Sequence, residues 1–119
     1  MTPYELAEVA VKALDSRRGR EIHLLKTTDI TSLADYFVIC SGTSNTQINA
    51  LNDAVEEAMK NVGEMPGRVE GHREGIWVLS DYGCVIVHIF SPEAREFYDL
   101  ERLWSDAEEV DISGMVTAD

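Results

Sequence analysis

The strongest constraint on the fold is a nearly continuous apolar run over residues 35–40, which stops at the small polar turn 41–44. Such a run is typical of a β-strand that is covered on both faces. Beyond the turn, Ile48, Leu51 and Val55 follow helical spacing. The sequence therefore predicts a buried strand, a short turn, and a helix that packs back on a sheet.

The other segments are predicted to form further helices and strands. Thr2, Pro3 and Glu5 match a capping box with proline at the first helical position. Ser91 followed by Pro92 starts another helix in the same way. The predicted elements are a helix from residue 3, strands over 21–26 and 35–40, a helix from 45, strands over 76–80 and 84–90, and a helix from 92 whose apolar face includes Phe97. This order predicts an α/β fold in which a small mixed sheet of about four to five strands packs with about three helices.

The segment 81–83 (DYG) gives the clearest hairpin signal in the chain. With the loop at its last two residues, Trp77 faces His88. Leu79 then faces Ile86 on the same side. Both sides of this hairpin are apolar, and the side with Trp77 could pack under a helix or serve as an interface anchor. The spacing leaves both interpretations open.

Charge limits the choice of partner. The formal net charge is −12, from 10 Lys+Arg against 22 Asp+Glu. Phosphate repels such a chain, so we expect no direct binding to nucleic acid and favour a basic protein surface as partner. Acids dominate from residue 93 onward. We therefore predict one domain over 1–104 and an acidic, flexible tail over 105–119.

The compartment is predicted from the cysteines and from the hydropathy of the chain. Cys40 and Cys84 lie in apolar surroundings without CxxC spacing, which favours reduced, buried thiols over a disulfide. No apolar stretch approaches the roughly 18 residues that span a membrane. The first residues lack the pattern of a secretory signal. We expect a cytoplasmic protein that makes no membrane contact.

The turn 41–44 is a candidate phosphate site because it lies between a strand and a helix. It lacks the lysine of a P-loop and the three glycines of a dinucleotide fingerprint. A nucleotidyltransferase would also need two carboxylates on the following strand, and none is found there. We therefore expect Thr43 or Ser44 to cap the helix, with a nucleotide-binding transferase as the alternative function. His23, His72 and His88 show no metal-ligand spacing, and we expect no metal, cofactor or catalytic residue.

The sequence contains four separated blocks: DYFVICSGTS (35–44), GIWVLSDYG (75–83), VIVHIF (85–90) and REFYDLERLW (95–104). Together these blocks resemble the ribosomal silencing factor or Iojap-like family. The resemblance implies a nucleotidyltransferase-like α/β fold without the catalytic carboxylates. It also implies a translational repressor with no enzymatic activity. Such a factor binds the large ribosomal subunit through ribosomal protein number fourteen and blocks joining of the small subunit. Members of the family are often homodimers.

The same resemblance assigns partner contacts to two blocks. The two apolar residues would anchor the interface, the two acids would pair with arginine or lysine, and the two tyrosines would supply contact area and a hydroxyl. The positions are Trp77, Leu79, Asp81, Tyr82, Tyr98 and Glu101. Asp81 has the alternative role of stabilising the turn, and Tyr98 that of packing beside Phe97.

Overall fold

The computed structural model describes residues 1–71, 77–99, 102 and 105–116. The described residues form a mixed α/β fold. Its elements are α1 (Pro3–Ser16), β1 (Arg20–Lys26), β2 (Tyr36–Ser41), α2 (Asn45–Asn61), β3 (Arg68–Glu70), β4 (Trp77–Asp81), β5 (Val85–Phe90), α3 (Pro92–Tyr98) and β6 (Glu108–Val110). The strands make one six-stranded sheet in the order β3-β4-β5-β2-β1-β6. The mixed α/β class is confirmed.

The predicted capping box starts α1. The Thr2 N–H donates to Glu5 Oε1 at 2.8 Å, and the Glu5 N–H donates to Thr2 Oγ1 at 3.1 Å. Two backbone donors that lack a partner inside the helix are thereby satisfied. The helix then buries one side, including Leu6, Val11 and Leu14, against the sheet.

The two central strands are the apolar runs seen in the sequence. β2 and β5 pair in parallel, whereas the other pairings in the sheet are antiparallel. All six residues of each central strand are buried. The prediction of strands covered on both faces is confirmed. The sheet has one strand more than the four to five expected, because the three-residue strand β6 extends one edge beside β1; β3, also three residues long, forms the other edge.

The β4–β5 hairpin differs from the predicted register by two residues. Trp77 pairs with Phe90, and Leu79 pairs with His88. The Tyr82 N–H donates to Val85 O at 2.9 Å, so the loop lies one residue later than predicted. Side chains alternate with a period of two along a strand, so a two-residue difference leaves each of them on its predicted side.

The sheet has two unlike faces. On the first, which we call the α1/α2 face, both long helices bury a large aliphatic core that includes Leu51, Val55 and Val87. On the second, the α3 face, the short helix α3 covers a smaller cluster built around Phe37, Ile39 and Phe90. β2 and β5 contribute alternate residues to both.

The segment predicted to be a flexible tail contains a strand. β6 pairs antiparallel with β1, with Val110 opposite Leu24. Met115 is 8% exposed and belongs to the core of the α1/α2 face. Residues 105–116 thus differ from the expectation. The acids on either side concealed an alternation of apolar residues, Val110 and Ile112, that suits an edge strand.

Within the described residues, no helix has the length and apolar character needed to cross a membrane.

Candidate functional site

The α3 face carries a partly exposed aromatic group. The Trp77 ring lies 4.6 Å from that of Tyr98 and 5.0 Å from that of Phe90, measured between centroids. Phe97 packs edge-on against Tyr98 at 5.1 Å. Phe97 is 78% exposed and Tyr98 50%. Clustered exposed aromatics are typical of protein–protein contact sites.

His88 fixes the orientation of Trp77. The Trp77 indole N–H donates to His88 Nδ1 at 3.3 Å, which places the proton of a neutral imidazole on Nε2. His88 is buried beneath Trp77 and Phe37. Burial lowers the pKa of His88 to about 4, so the ring is neutral at neutral pH. The polar edge of the indole therefore points inward, and Trp77 presents apolar ring surface to the outside. The interpretation that Trp77 packs under a helix therefore holds in part, because Tyr98 of α3 lies on its ring, and the role of interface anchor stays a prediction.

Leu79 and Asp81 continue the row that Trp77 begins on β4. All three are half-buried and alternate with the buried Val78 and Ser80. Asp81 Oδ1 accepts the Gly83 N–H at 2.8 Å, so this carboxylate stabilises the turn as the alternative interpretation stated. The structure thus brings Trp77, Leu79 and Asp81 together on one face, with Tyr98 on Trp77.

Tyr82 does not join this row. It is 6% exposed and lies in the core of the α1/α2 face, directly after the end of β4. Desolvation raises the pKa of its hydroxyl to about 12. The contact role suggested for Tyr82 therefore does not match its position. Glu101, the last of the suggested contacts, lies outside the described residues.

Acidic side chains flank the aromatic group. Glu96, Asp99 and Arg102 line a shallow depression beside Phe97 and Tyr98. Asp99 ends α3 in the left-handed conformation, with φ of 47°, and its N–H donates to Arg95 O at 2.8 Å. Of the charged residues that the structure describes at this rim of the aromatic group, two are acidic and one is basic.

The sequence did not predict the exposure of two residues of α3 correctly. Phe97 was predicted on the buried side of a longer helix, but α3 has seven residues and Phe97 points outward. Arg95, to which the sequence assigned no role, is 8% exposed. Arg95 stands between Ala94 and Glu96, and this local sequence carries no signal that marks it as buried.

The turn 41–44 caps a helix, as predicted. Ser44 is the N-cap of α2, and its Oγ accepts the Gln47 N–H at 3.1 Å. A Cβ on Gly42 would lie 2.6 Å from Ile48 Cγ1, so only glycine lets the strand end approach the helix this closely. The Gly42 N–H donates to Phe90 O and the Thr43 N–H to Gln47 Oε1. Two of the amides that a phosphate would use are therefore already bonded.

Other chemistry finds no support in the described part of the chain. No cluster of three histidine, cysteine or acidic residues that could hold a metal occurs there; His72 lies outside it. Cys40 and Cys84 are free thiols. Burial raises the pKa of Cys40 to about 12, which keeps it protonated and unreactive.

Comparison with known proteins agrees with the resemblance seen in the sequence. The family model described as "Ribosomal silencing factor during starvation" matches residues 1–119. A "Ribosomal silencing factor RsfS" of Halalkalibacterium halodurans is 35% identical over 117 residues, covering 98% of this chain and 100% of that protein. The mouse "Mitochondrial assembly of ribosomal large subunit protein 1" is 30% identical over 101 residues, covering 82% of this chain and 44% of that protein.

A solved structure shares the fold. The crystal structure of a protein from Chromobacterium violaceum superposes with a TM-score of 0.86 and 38% identity, and the match covers 88% of each chain. The family model spans the whole chain, and the relatives agree with it. The chain therefore belongs to the ribosomal silencing factor family.

Proposed function

We propose that the protein represses translation by binding the large ribosomal subunit and blocking access of the small subunit. The observation that carries this proposal is the partly exposed aromatic group on the α3 face, formed by Trp77, Phe97 and Tyr98. Family membership supplies the ribosome as the target. The name of the mouse relative, which mentions the ribosomal large subunit, supports the choice of subunit.

The partner within the large subunit is ribosomal protein number fourteen, on the face that meets the small subunit. A formal net charge of −12 opposes docking on ribosomal RNA and favours a basic protein surface. Trp77 and Leu79 form the apolar centre of the contact, and Tyr98 adds area beside them. Asp81 pairs with a cationic side chain at the rim, as does Glu101. Tyr82 supports the row from the opposite face and makes no direct contact.

The mechanism is occupation of space and involves no bond-making step. A standard interface buries about 800 Å² on each partner, which one sheet face and a short helix can supply. Charges at its rim accelerate association more than they strengthen it. A factor that acts on ribosomes in this way works in the cytoplasm.

Subunit joining provides the direct test. Purified large subunits are incubated with the protein, small subunits are added, and joined ribosomes are counted on a sucrose gradient. The fraction of joined ribosomes should fall, and the protein should co-sediment with large subunits at low micromolar concentration. Normal joining in the presence of bound protein would contradict the blocking mechanism, and absence from the large-subunit fractions would contradict the binding.

A matched pair of variants localises the contact. Trp77→Ala should abolish the block, whereas Met65→Ala should retain it. Met65 is 68% exposed and apolar, but it lies in a groove beside α2, on the other side of the sheet. If both variants lost the block equally, the α3 face would not be the site.

A second copy of the chain is the other proposed occupant of the α3 face. The exposed Phe97 and Tyr98 would then be covered in a homodimer. Light scattering measures the molar mass in solution. If the dimer uses this face, added large subunits should convert it to bound monomers; a dimer that persists on the subunit uses another surface.

A further inference from the structure

The helix that carries the exposed aromatic residues is too short to hold its own position. α3 spans seven residues, and its buried side chains are Ala94 and Arg95. Isolated helices shorter than about 12 residues are marginal in water. Tertiary contacts must therefore fix the location of α3, and Ala94 offers one methyl group for the purpose.

Arg95 provides the stronger contact. Its Nη1 donates to the backbone oxygen of Glu21 at 2.7 Å and to Ser41 Oγ at 2.8 Å. The Glu21 carboxylate lies 3.9 Å from the same nitrogen. Charged donors make stronger hydrogen bonds than neutral ones, and a guanidinium that is 8% exposed is costly to bury without such partners. One side chain thereby connects α3 to β1 and to the end of β2.

The local backbone of β1 is shaped to accept this side chain. Glu21 has φ of 48°, a left-handed conformation, and the β1–β2 register shifts between Arg20 and His23. Such a bulge takes a residue out of the regular ladder and redirects its groups. The Glu21 carbonyl is thus available to Arg95 instead of to the neighbouring strand.

Tyr98 follows Arg95 by three residues and lies against Trp77 with ring centroids 4.6 Å apart. Its other ring neighbours are Phe90 at 6.4 Å and Phe97 at 5.1 Å. Half of Tyr98 is exposed, so these contacts alone hold it weakly. The place of the Tyr98 ring therefore depends on where Arg95 fixes the helix.

We propose that Arg95 is a positioning residue of the binding surface: it ties α3 to β1 and β2, and so keeps Tyr98 on Trp77 in the arrangement that the ribosome recognises. Arg95 itself makes no contact with the ribosome. The inference rests on the proposed function for its biological meaning, while the ring geometry is a property of the protein alone.

The ring geometry is tested first, in the free protein. Arg95→Met keeps the length of the side chain and removes its donors. Nuclear Overhauser contacts between the Tyr98 and Trp77 ring protons, strong in the wild type, should disappear in this variant. Arg17→Met removes an exposed arginine and should leave them unchanged. Intact contacts in Arg95→Met would overturn the proposal, even if the large subunit proved not to be the partner.

A double-mutant cycle tests the consequence for binding. Arg95→Met should weaken affinity for large subunits about tenfold in the wild-type background. In the Tyr98→Ala background, where there is no ring left to position, the same change should cost less than about twofold. Equal losses in both backgrounds would overturn the proposal, because Arg95 would then act independently of Tyr98.

Two milder variants protect the test from a folding defect. Arg95→Lys retains a donor and should recover part of the affinity. Ser41→Ala removes one acceptor and should give a smaller loss that also vanishes with Tyr98→Ala. If the wild type itself fails to bind large subunits, the proposed function is wrong, and the ring contacts still decide the role of Arg95.

Discussion

The two faces of the sheet differ in their side chains and in how completely these are covered. The α1/α2 face is closed by two long helices and filled with aliphatic residues such as Ile48, Leu51 and Met59, each 0% exposed. The α3 face adds the aromatic rings of Phe37, Trp77, Phe90 and Tyr98 to its aliphatic residues, and its outermost rings remain in contact with water. Buried aliphatic side chains contribute roughly 1.5–3 kcal/mol each to folding. The first face therefore supplies most of the burial that stabilises the fold, and the second leaves apolar area exposed, which is the surface proposed to bind the partner.

The largest expected effect tests the first half of this comparison. Leu51→Ala creates a cavity under α2 and should lower the free energy of unfolding by about 2–5 kcal/mol. Urea titration followed by circular dichroism measures it. The folded variant should bind large subunits with unchanged affinity, and a loss of affinity would show that the faces are not separate in function.

Trp77→Ala tests the second half. Truncation of a central aromatic anchor should weaken binding to the large subunit by about 2 kcal/mol or more. The loss of unfolding free energy should be smaller than in Leu51→Ala, because Trp77 is only partly buried in the wild type. Sedimentation binding assays and urea titration of the same preparation give both numbers. If Trp77→Ala instead lowered the free energy of unfolding more than Leu51→Ala does, Trp77 would be assigned to the core.

A pH titration sharpens the comparison within the α3 face. Burial lowers the pKa of His88 from 6.5 to about 4, so the unfolded chain binds the extra proton between these values. The contribution of His88 to the free energy of unfolding is therefore fully present above about pH 6.5. It decreases as the pH drops toward 4, by about 2 kcal/mol between pH 7 and pH 5. Urea titrations at the two pH values measure it. His88→Gln keeps an acceptor for Trp77 and should remove most of this difference; an unchanged difference would contradict the assignment.

The smallest effect concerns the cap of α2. Ser44→Ala leaves the Gln47 N–H without its side-chain acceptor and should cost about 1 kcal/mol of unfolding free energy. Thr46→Ala, at an exposed position in the first turn, is the control. Calorimetry with millimolar ATP and magnesium should show no heat for either variant or for the wild type. Saturable heat in the wild type alone would revive a phosphate role for this turn.

Sequence reasoning succeeded where the information is local. Helix caps at Thr2 and Ser44 and the buried strands β2 and β5 depend on a few neighbouring residues. It failed where distant parts meet. β6 is a strand only because the edge of β1 is available to pair with it. Acidic neighbours made this segment look like a tail.

The candidate site was likewise predictable only where neighbouring residues decide the structure. Alternation along β4 correctly put Trp77 and Leu79 on one side, whereas the loop position of the hairpin was off by one residue, which is beyond what turn residues specify. The resemblance assigned Tyr82 to the contact surface, although its side chain, directly after β4, packs into the core of the α1/α2 face. Arg95 could not be found at all, because its partner is a carbonyl oxygen released by a bulge far away in the chain.

The parallel pair β2 and β5 sends alternate side chains to opposite sides of one hydrogen-bonded ladder. Loosening the α3 side of these two strands would require breaking the ladder that also anchors the aliphatic interior. Phe37, Ile39 and Phe90, which form the base of the α3 face, are therefore held as firmly as the interior. Under the proposed function, this base would lose little conformational entropy on association, so that a modest contact area could suffice.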